Sequence, residues 1–300
     1  MGKGTFNSTE YRTFSTSTVG LSTSQIYTSR SIHPDLNPFG VKVRESRDSV
    51  DNPLSTPLIV AVDVTGSMGM LADVIARKGL GTLFESVIDR KPITDPHVMF
   101  MALGDANHDR APLQVSQFEA DNRIVEQLTK IYLEGGGGGN SFESYNLPWY
   151  FAAYHTAHDS LEKRGKRGYL FTLGDEEAPN DLTKEQIRRF IGDDIEERIS
   201  TESLLKKTQR AYDVFHIIIE EGSHAKHNLD RVVGSWTPLL GQHIIKLSDH
   251  TKLAETIVSA IQVAEGADPD KVAASWGPSS RVIAKAVFQI PKSRNAGLLT

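Results

Sequence analysis

The sequence contains no cysteine among its 300 residues. Disulfide bonds and thiolate metal sites are therefore excluded, and such a composition favours a reducing compartment. Long apolar runs are also missing, since the longest contain about six residues and a membrane-spanning helix needs ~20. The first stretch, "MGKGTFNSTEYRTF", has no apolar core of the signal-peptide type. We expect a cytoplasmic protein.

An excess of positive charge is the third feature that the sequence lacks. Lysine and arginine together number 33, against 38 aspartates and glutamates, and the formal net charge is -5. Broad electrostatic attraction to nucleic-acid phosphates or to anionic lipid is therefore not expected. What the sequence does have is 39% hydrophobic residues, enough to build a full globular core.

Composition divides the chain into three parts. Residues 1–56 are rich in serine and threonine and poor in apolar residues, and we predict an arm that is disordered or laid over the main domain. Residues 57–265 alternate short apolar runs with longer helical patterns. Residues 266–300 are interrupted by proline and glycine, which predicts a tail packed on the domain with at most one added strand, "RVIAKAVFQI".

The middle part is predicted to be a Rossmann-like, doubly wound α/β domain. Its apolar runs indicate buried strands: "LIVAV" (58–62), "VMFMAL" (98–103), "YLFTL" (169–173), "VFHIII" (214–219) and "HIIKL" (243–247). Such runs between amphipathic helices are typical of a mostly parallel sheet with helices on both faces. The segment "APLQVSQF" (111–118) follows the second strand after only seven residues, too few for a crossover helix, which predicts an antiparallel edge strand.

Helical spacing of apolar residues occupies the intervals between these strands. It predicts helices near 71–87, 147–158 and 253–261, and a solvated helical pair within 181–212. The helix near 147–158 would place His155 and His158 three residues apart. Zinc hydrolases prefer a spacing of four with a glutamate between the histidines, so we do not predict zinc here.

Acids and hydroxyls collect where the predicted strands end. Asp63, Thr65 and Ser67 follow the first strand, and a tight turn through Gly66 can aim all three at one point. Asp175 follows a later strand and adds a second carboxylate, because the carboxyl ends of parallel strands meet at one edge of a sheet. This ligand set suits Mg²⁺ or Mn²⁺ and lacks the oxygen count that is usual for tight Ca²⁺ binding.

The order strand, Asp-x-Thr-Gly-Ser, helix, glycine-rich loop, helix, strand and Gly-Asp resembles a von Willebrand factor A domain with a metal-ion-dependent adhesion site. The resemblance covers roughly residues 57–265. The phrases "EGGGGGNSFESYNLPWYF", "GDANHDRAPLQVSQFEAD" and "KRGKRGYLFTLGDEEAP" are also similar to a little-characterised prokaryotic and bacteriophage subgroup. The resemblance implies that Asp63, Thr65, Ser67 and Asp175 bind the metal.

The glycine-rich loop lacks the threonine of the family pattern. "GGGGGNSFES" offers Asn140, Ser141 or Ser144 as the replacement hydroxyl or amide ligand, or the carboxylate of Glu143. Asp105 is a further acid at the same edge, and we expect it either to support the ligands from behind or to reach the metal through water. The missing threonine concerns how the site would switch its affinity rather than whether it binds a metal.

The resemblance implies a metal-dependent protein-protein interaction module, a scaffold or adaptor and not an enzyme. In such a module the cation binds an acidic residue of a partner protein. Many intracellular relatives in the family serve as subunits of multiprotein machines, often beside an AAA-type ATPase, so such a partner is expected. Neither nucleic acid nor a membrane is expected as a partner.

Two other functions agree with parts of the sequence. A phosphohydrolase of the haloacid dehalogenase type would use Asp63 as nucleophile and Asp175, with Asp181 downstream, to hold Mg²⁺. That chemistry needs a second aspartate at position 65, and Thr65 does not titrate near neutral pH, which favours the interaction module. The remaining alternative is a structural assembly protein with a vestigial metal site, joined through the arm and the tail.

Overall fold

The computed structural model describes residues 4–17, 20–66, 80–133 and 142–293. These ranges contain eight strands: β1 (Arg44–Ser46), β2 (Thr56–Asp63), β3 (Pro96–Leu103), β4 (Leu113–Val115), β5 (Thr156–His158), β6 (Gly168–Gly174), β7 (Tyr212–Ile219) and β8 (Ile244–Leu247). Six of them form one sheet in the order β4-β3-β2-β6-β7-β8, parallel throughout except for the pair of β3 and β4. The predicted Rossmann-like α/β fold is confirmed, including the antiparallel strand at the edge.

Twelve α-helices occur in the same described ranges. They are α1 (Ser8–Ser17), α2 (Thr23–Ile26), α3 (Leu80–Arg90), α4 (Arg123–Thr129), α5 (Asn146–Tyr154), α6 (Asp159–Arg164), α7 (Lys184–Phe190), α8 (Thr201–Thr208), α9 (Ala225–Leu240), α10 (Leu253–Ala264), α11 (Pro269–Ala274) and α12 (Ser280–Val287). Short 3₁₀ helices span Pro34–Leu36, Gly241–His243, His250–Lys252 and Gly277–Ser279. The helical pair predicted within 181–212 is confirmed as α7 and α8. No described helix is long and apolar enough to cross a bilayer.

Helices cover the sheet on both faces. Because strand residues alternate between the two sides, β2 sends Leu58, Val60 and Val62 into a core shared with α3, α10 and α12. Ile59 and Ala61 enter a second core shared with α5, α7, α8 and α9. Burial on both faces explains why β2 is a continuous apolar run instead of an alternating one.

The described part of the N-terminal segment lies against the α/β domain. Tyr11, Ile26 and Leu36 are buried in the same core as α3 and α10. The amide nitrogen of Asn7 donates to Asn122 Oδ1 at 3.0 Å. Strand β1 of this segment pairs in parallel with β5 to form a separate two-stranded sheet.

His155 and His158 do not share a helix, so that prediction is wrong. Helix α5 ends at Tyr154, and the following residues form β5, which pairs with β1; the Arg44 amide donates to the His155 carbonyl at 2.8 Å. This long-range strand pairing overrides the local helical pattern. His158 instead caps α6, because its ring nitrogen accepts a hydrogen bond from the Leu161 amide at 3.1 Å.

The stretch "RVIAKAVFQI" contains helix α12, so the strand predicted there is also wrong. Ile283, Ala286 and Val287 are buried in the core that contains α10. Their spacing of i, i+3 and i+4 places them on one side of a helix, and a short apolar run does not by itself distinguish a strand from a buried helix. Packing against the sheet decided between the two.

Truncation of Leu170 tests the central sheet. This side chain is fully buried on β6, between β2 and β7. Leu170→Ala should therefore lower the free energy of unfolding by about 2–5 kcal/mol, measured by urea unfolding followed by circular dichroism. Val50→Ala is the control, because Val50 is 100% exposed. Equal stability of the two variants would contradict the arrangement of the sheet.

Candidate metal centre

Strand pairing brings Asp63 and Asp175 to the same edge of the sheet. Asp63 is the last residue of β2, and Asp175 directly follows β6, the parallel neighbour of β2. Both residues are fully buried. The acids predicted from the ends of two separate strands therefore lie side by side at the carboxyl edge, where ligands of such sheets bind.

Thr65 turns back onto Asp63. Its amide nitrogen donates to Asp63 Oδ1 at 2.9 Å, and its hydroxyl donates to the same oxygen at 2.7 Å. This is the local turn that a short acidic side chain favours. A hydroxyl that donates its proton in this way can still act as an oxygen ligand of a cation. Ser67 lies outside the described residues, so its role as a ligand stays a prediction.

Tyr145 forms hydrogen bonds that hold the acidic edge in place, a role that the sequence pattern did not indicate. Its hydroxyl donates to Asp63 Oδ2 at 3.3 Å and accepts from the Glu176 amide at 3.3 Å. The side chain is fully buried, and its ring meets Trp236 edge-on. A Cβ atom on Gly174 would lie 1.9 Å from the Tyr145 hydroxyl, which explains the glycine before Asp175. The sequence feature that could have indicated this role is the position of Tyr145, directly before the helix that follows the glycine-rich loop.

Asp175 lies at the N-terminus of α9. Its Oδ2 accepts a hydrogen bond from the His224 amide at 2.8 Å, and α9 begins at the next residue. The positive end of the helix dipole stabilises the carboxylate there. The His224 ring lies 3.6 Å from the carboxylates of Glu176 and Glu177, two further acids of this edge that the sequence analysis did not single out.

Asp105 and Glu143 enter the same acidic cluster. Asp105 Oδ1 accepts from the Asn107 amide at 2.9 Å, and the Asp105 amide donates to Asp109 Oδ2 at 2.7 Å. Glu143 is buried, and its Oε2 has no hydrogen-bond partner among the described residues. The Ser144 hydroxyl, the other candidate of this loop, accepts from the Ala106 amide at 2.9 Å. Asn140 and Ser141 lie outside the described residues.

Burial and mutual repulsion raise the pKa of three carboxyls in this cluster. Burial raises the pKa of Asp63 to about 7, with Asp175 contributing, against the opposing hydrogen bonds from Thr65. Burial raises the pKa of Glu143 to about 10, and the charge of Asp63 adds to the shift. Burial and the charge of Asp175 raise the pKa of Glu176 to about 8. Each shift means that negative charge is disfavoured where these carboxyls lie.

The donor set fits a hard divalent cation. Within the described ranges, no lysine, arginine or histidine forms an ion pair with Asp63 or Glu143, and Glu143 has an unpartnered oxygen. Buried carboxylates require pairing with a cation, a metal or a proton. Carboxylate and hydroxyl oxygens are the ligands that Mg²⁺ and Mn²⁺ prefer.

A tighter trio of possible ligands lies after β7 and β8. Glu221, Asp249 and His250 place one ligand atom each within 4.8 Å of one another, and in the described ranges no other three carboxylate or imidazole groups do so. Glu221 Oε2 is 2.7 Å from His250 Nδ1, and Asp249 Oδ1 accepts from the Thr251 amide at 3.0 Å, so each of the three groups has a hydrogen-bond partner without a metal ion. A cation beside Asp63 would therefore rely on hydroxyl and water oxygens as well as carboxylates, as is usual for Mg²⁺.

Comparison with known proteins gives distant structural neighbours. No family model matches the chain, and no curated protein matches it. Among solved structures, the pilus adhesin SpaC from Lactobacillus rhamnosus GG is similar with a TM-score of 0.46 and 9% identity over 72% of this chain. Its open conformation gives 0.44 and 10% over 71%. The match covers 31% of each adhesin chain, and likeness at this level supports no inference about activity.

Gly174→Ala tests the contact between β6 and Tyr145. The added Cβ would collide with the buried Tyr145 hydroxyl, so the free energy of unfolding should fall by about 1–3 kcal/mol in urea titrations. Gly234→Ala is the matched control, because no atom lies within 4 Å of its added Cβ and it is in helix α9. This control should gain about 0.5–1 kcal/mol. Equal effects of the two substitutions would contradict the close approach.

The raised pKa of Asp63 predicts how stability depends on pH without metal. Its usual pKa is 3.8 and its folded pKa is about 7, so between these values the folded protein binds more protons than the unfolded chain. Stability should therefore fall as pH rises through this window and level off above it. Asp63→Asn cannot ionise and should flatten the fall. Thermal unfolding in EDTA at a series of pH values measures the stability of both proteins. Identical dependence of the unfolding temperature on pH would contradict the raised pKa of Asp63.

Proposed function

We propose that this chain is a metal-dependent protein-protein interaction module of the von Willebrand factor A type, acting as a scaffold or adaptor. The observation that carries the proposal is the pair of fully buried acids, Asp63 and Asp175, at the carboxyl ends of the adjacent strands β2 and β6. Thr65 adds a hydroxyl to the same point. Asp63, Thr65, Ser67 and Asp175 are the proposed ligands of Mg²⁺ or Mn²⁺.

The residues behind the ligands support this proposal by fixing carboxylate orientation. Tyr145 holds the second oxygen of Asp63, and the His224 amide holds one oxygen of Asp175. Both oxygens of Asp63 and at least one oxygen of Asp175 therefore accept hydrogen bonds from the fold, which sets the orientation of each carboxylate before a cation arrives. Such prior orientation is what a metal site with few protein ligands requires.

Further ligands are proposed from the loops beside the two acids. Glu143 has an unpartnered buried oxygen, which supports a direct or water-mediated contact with the cation. Asp105 is proposed to act through water, since its carboxylate already binds Asn107 and His108. Asn140 and Ser141 are proposed as alternatives to Glu143.

A bound cation would neutralise the acids and offer a coordination position to a carboxylate of another protein. The proposed partner is therefore a protein with an accessible acidic residue, in a complex that includes an AAA-type ATPase or another subunit, and not nucleic acid or a membrane. The cytoplasmic location that the cysteine-free composition predicts is part of the proposal. Thr65 favours binding over phosphoryl transfer, because its hydroxyl cannot replace the general acid that such chemistry needs.

Asp63→Ala tests the metal site directly. The substitution removes one ligand from a turn while leaving the rest of the core intact, so Mg²⁺ and Mn²⁺ affinity should fall at least about tenfold in isothermal titration calorimetry. Circular dichroism checks that the variant is folded. Asp249→Ala is the control, because it alters the trio after β8 and leaves the sheet edge unchanged.

The two variants separate the possible outcomes. If Asp249→Ala loses metal binding and Asp63→Ala keeps it, the cation binds at Glu221, Asp249 and His250 rather than beside Asp63, which would contradict the proposal. If Asp63→Ala is the variant that loses metal binding, a pull-down should follow. The unaltered chain should then capture partner proteins in Mg²⁺ but not in EDTA, and Asp63→Ala should capture none in either condition. Metal-dependent release of phosphate from p-nitrophenyl phosphate, absent in Asp63→Ala, would instead assign an enzyme.

A further inference from the structure

A cavity lies between the N-terminal segment and helix α4. Its volume is about 690 Å³, within the range of small-ligand sites. One wall comes from the segment 32–44, which includes Phe39 and Arg44, and the opposite wall comes from Gln117 and the polar side of α4. None of the residues proposed to bind the metal contributes to these walls.

Among the described residues, Arg44 is the cation of this cavity that forms no ion pair with a carboxylate. Its Nη2 donates to the carbonyl oxygen of Asp35 at 3.2 Å, and its Nε is buried without a hydrogen-bond partner among the described residues. No carboxylate oxygen of the described chain lies within 4.0 Å of its guanidinium nitrogens. Burial lowers the pKa of Arg44, although the charge of Asp35 opposes the shift. A guanidinium stays charged at any physiological pH, so a partly desolvated charge remains that the described residues compensate only in part.

The other two cations of the cavity are already paired. Arg123 Nε lies 2.8 Å from Asp121 Oδ1, and its Nη2 lies 3.0 Å from Glu119 Oε2. Lys130 Nζ lies 3.0 Å from Asp35 Oδ2 and is also paired with a glutamate of α4. The carboxylate of Asp35 is thus bound to Lys130 and leaves the guanidinium of Arg44 to another anion.

Gln117, which lines the same cavity, carries an unsatisfied acceptor. Its side-chain oxygen Oε1 is buried and has no hydrogen-bond partner among the described residues. Its backbone amide is occupied, because it donates to Gln127 Oε1 at 2.7 Å. A buried acceptor without a donor costs free energy, which a ligand with a hydroxyl or amino group would recover.

We propose that this cavity binds a small hydroxy acid or amino acid. Its carboxylate would accept hydrogen bonds from the guanidinium of Arg44, whose planar geometry matches a carboxylate. Its hydroxyl or amino group would donate to Gln117 Oε1. Phe39 and Val41 give one side of the cavity an apolar surface on which a carbon chain or ring can pack. The proposal does not depend on the metal site.

Isothermal titration of the full chain with L-lactate, L-glutamate and L-phenylalanine tests this proposal. At least one of these acids should bind the unaltered protein, and Arg44→Met should weaken that binding at least about tenfold, the loss expected for a charged hydrogen-bond pair. Arg198→Met is the matched control, since the Arg198 side chain is 77% exposed and outside the cavity. Propionate lacks the hydroxyl or amino group and should bind more weakly than L-lactate.

Thermal unfolding without ligand distinguishes a binding role of Arg44 from a structural one. A partly buried charge that contacts no carboxylate among the described residues adds little to stability, so Arg44→Met should unfold at the same temperature as the unaltered protein or a higher one. If Arg44→Met fails to fold, Arg44→Lys keeps the charge without the planar donors and should also bind the acid more weakly. The proposal is overturned if none of the acids binds the unaltered protein, or if Arg44→Met and Arg198→Met bind the acid equally well. It is also overturned if inorganic phosphate binds through Arg44 and the acids do not.

Discussion

Repulsion between buried carboxylates at one edge of the sheet is the constraint on which the surrounding structure depends. Parallel pairing of β2 and β6 places Asp63 and Asp175 side by side without contact to water. Two carboxylates in such a place cannot both stay charged unless donors or a cation compensate them. The turn at Thr65, the hydroxyl of Tyr145 and the amide of His224, the residue before α9, supply the donors.

The packing below the acids follows from this requirement. Tyr145 reaches Asp63 because Gly174 leaves room for its hydroxyl, and a Cβ on Gly222 would lie 2.3 Å from that of Asp175. His216 stacks on Trp236 at 3.7 Å next to Tyr145. Burial lowers the pKa of His216 well below its usual value, so this ring is neutral and supplies no positive charge to the cluster. His216 therefore adds nothing to the compensation that the donors of Thr65, Tyr145 and the His224 amide provide.

The N-terminal segment and helix α4 enclose a second polar region, the cavity that contains Arg44. Its unpaired group within the described ranges is a cation, whereas those of the sheet edge are acids. Among the described residues, Asp63 and Glu143 at the sheet edge form no ion pair with a lysine, arginine or histidine, whereas in the cavity beside α4 the guanidinium of Arg44 has no carboxylate oxygen within 4.0 Å. Asp35 and Lys130 pair with each other across that cavity and so tie the segment to α4. The same contacts that hold the segment on the domain leave Arg44 without a carboxylate.

The sequence by itself determined the sheet, its antiparallel edge strand and the proximity of Asp63, Thr65 and Asp175, because apolar periodicity and strand ends are local properties of the chain. Only the tertiary structure decided that Tyr145 and the His224 amide hold these acids, that residues 156–158 pair with β1, and that α12 is a helix. These outcomes depend on contacts between segments far apart in sequence. A local pattern carries no information about which distant segment will satisfy a hydrogen bond or cover an apolar face.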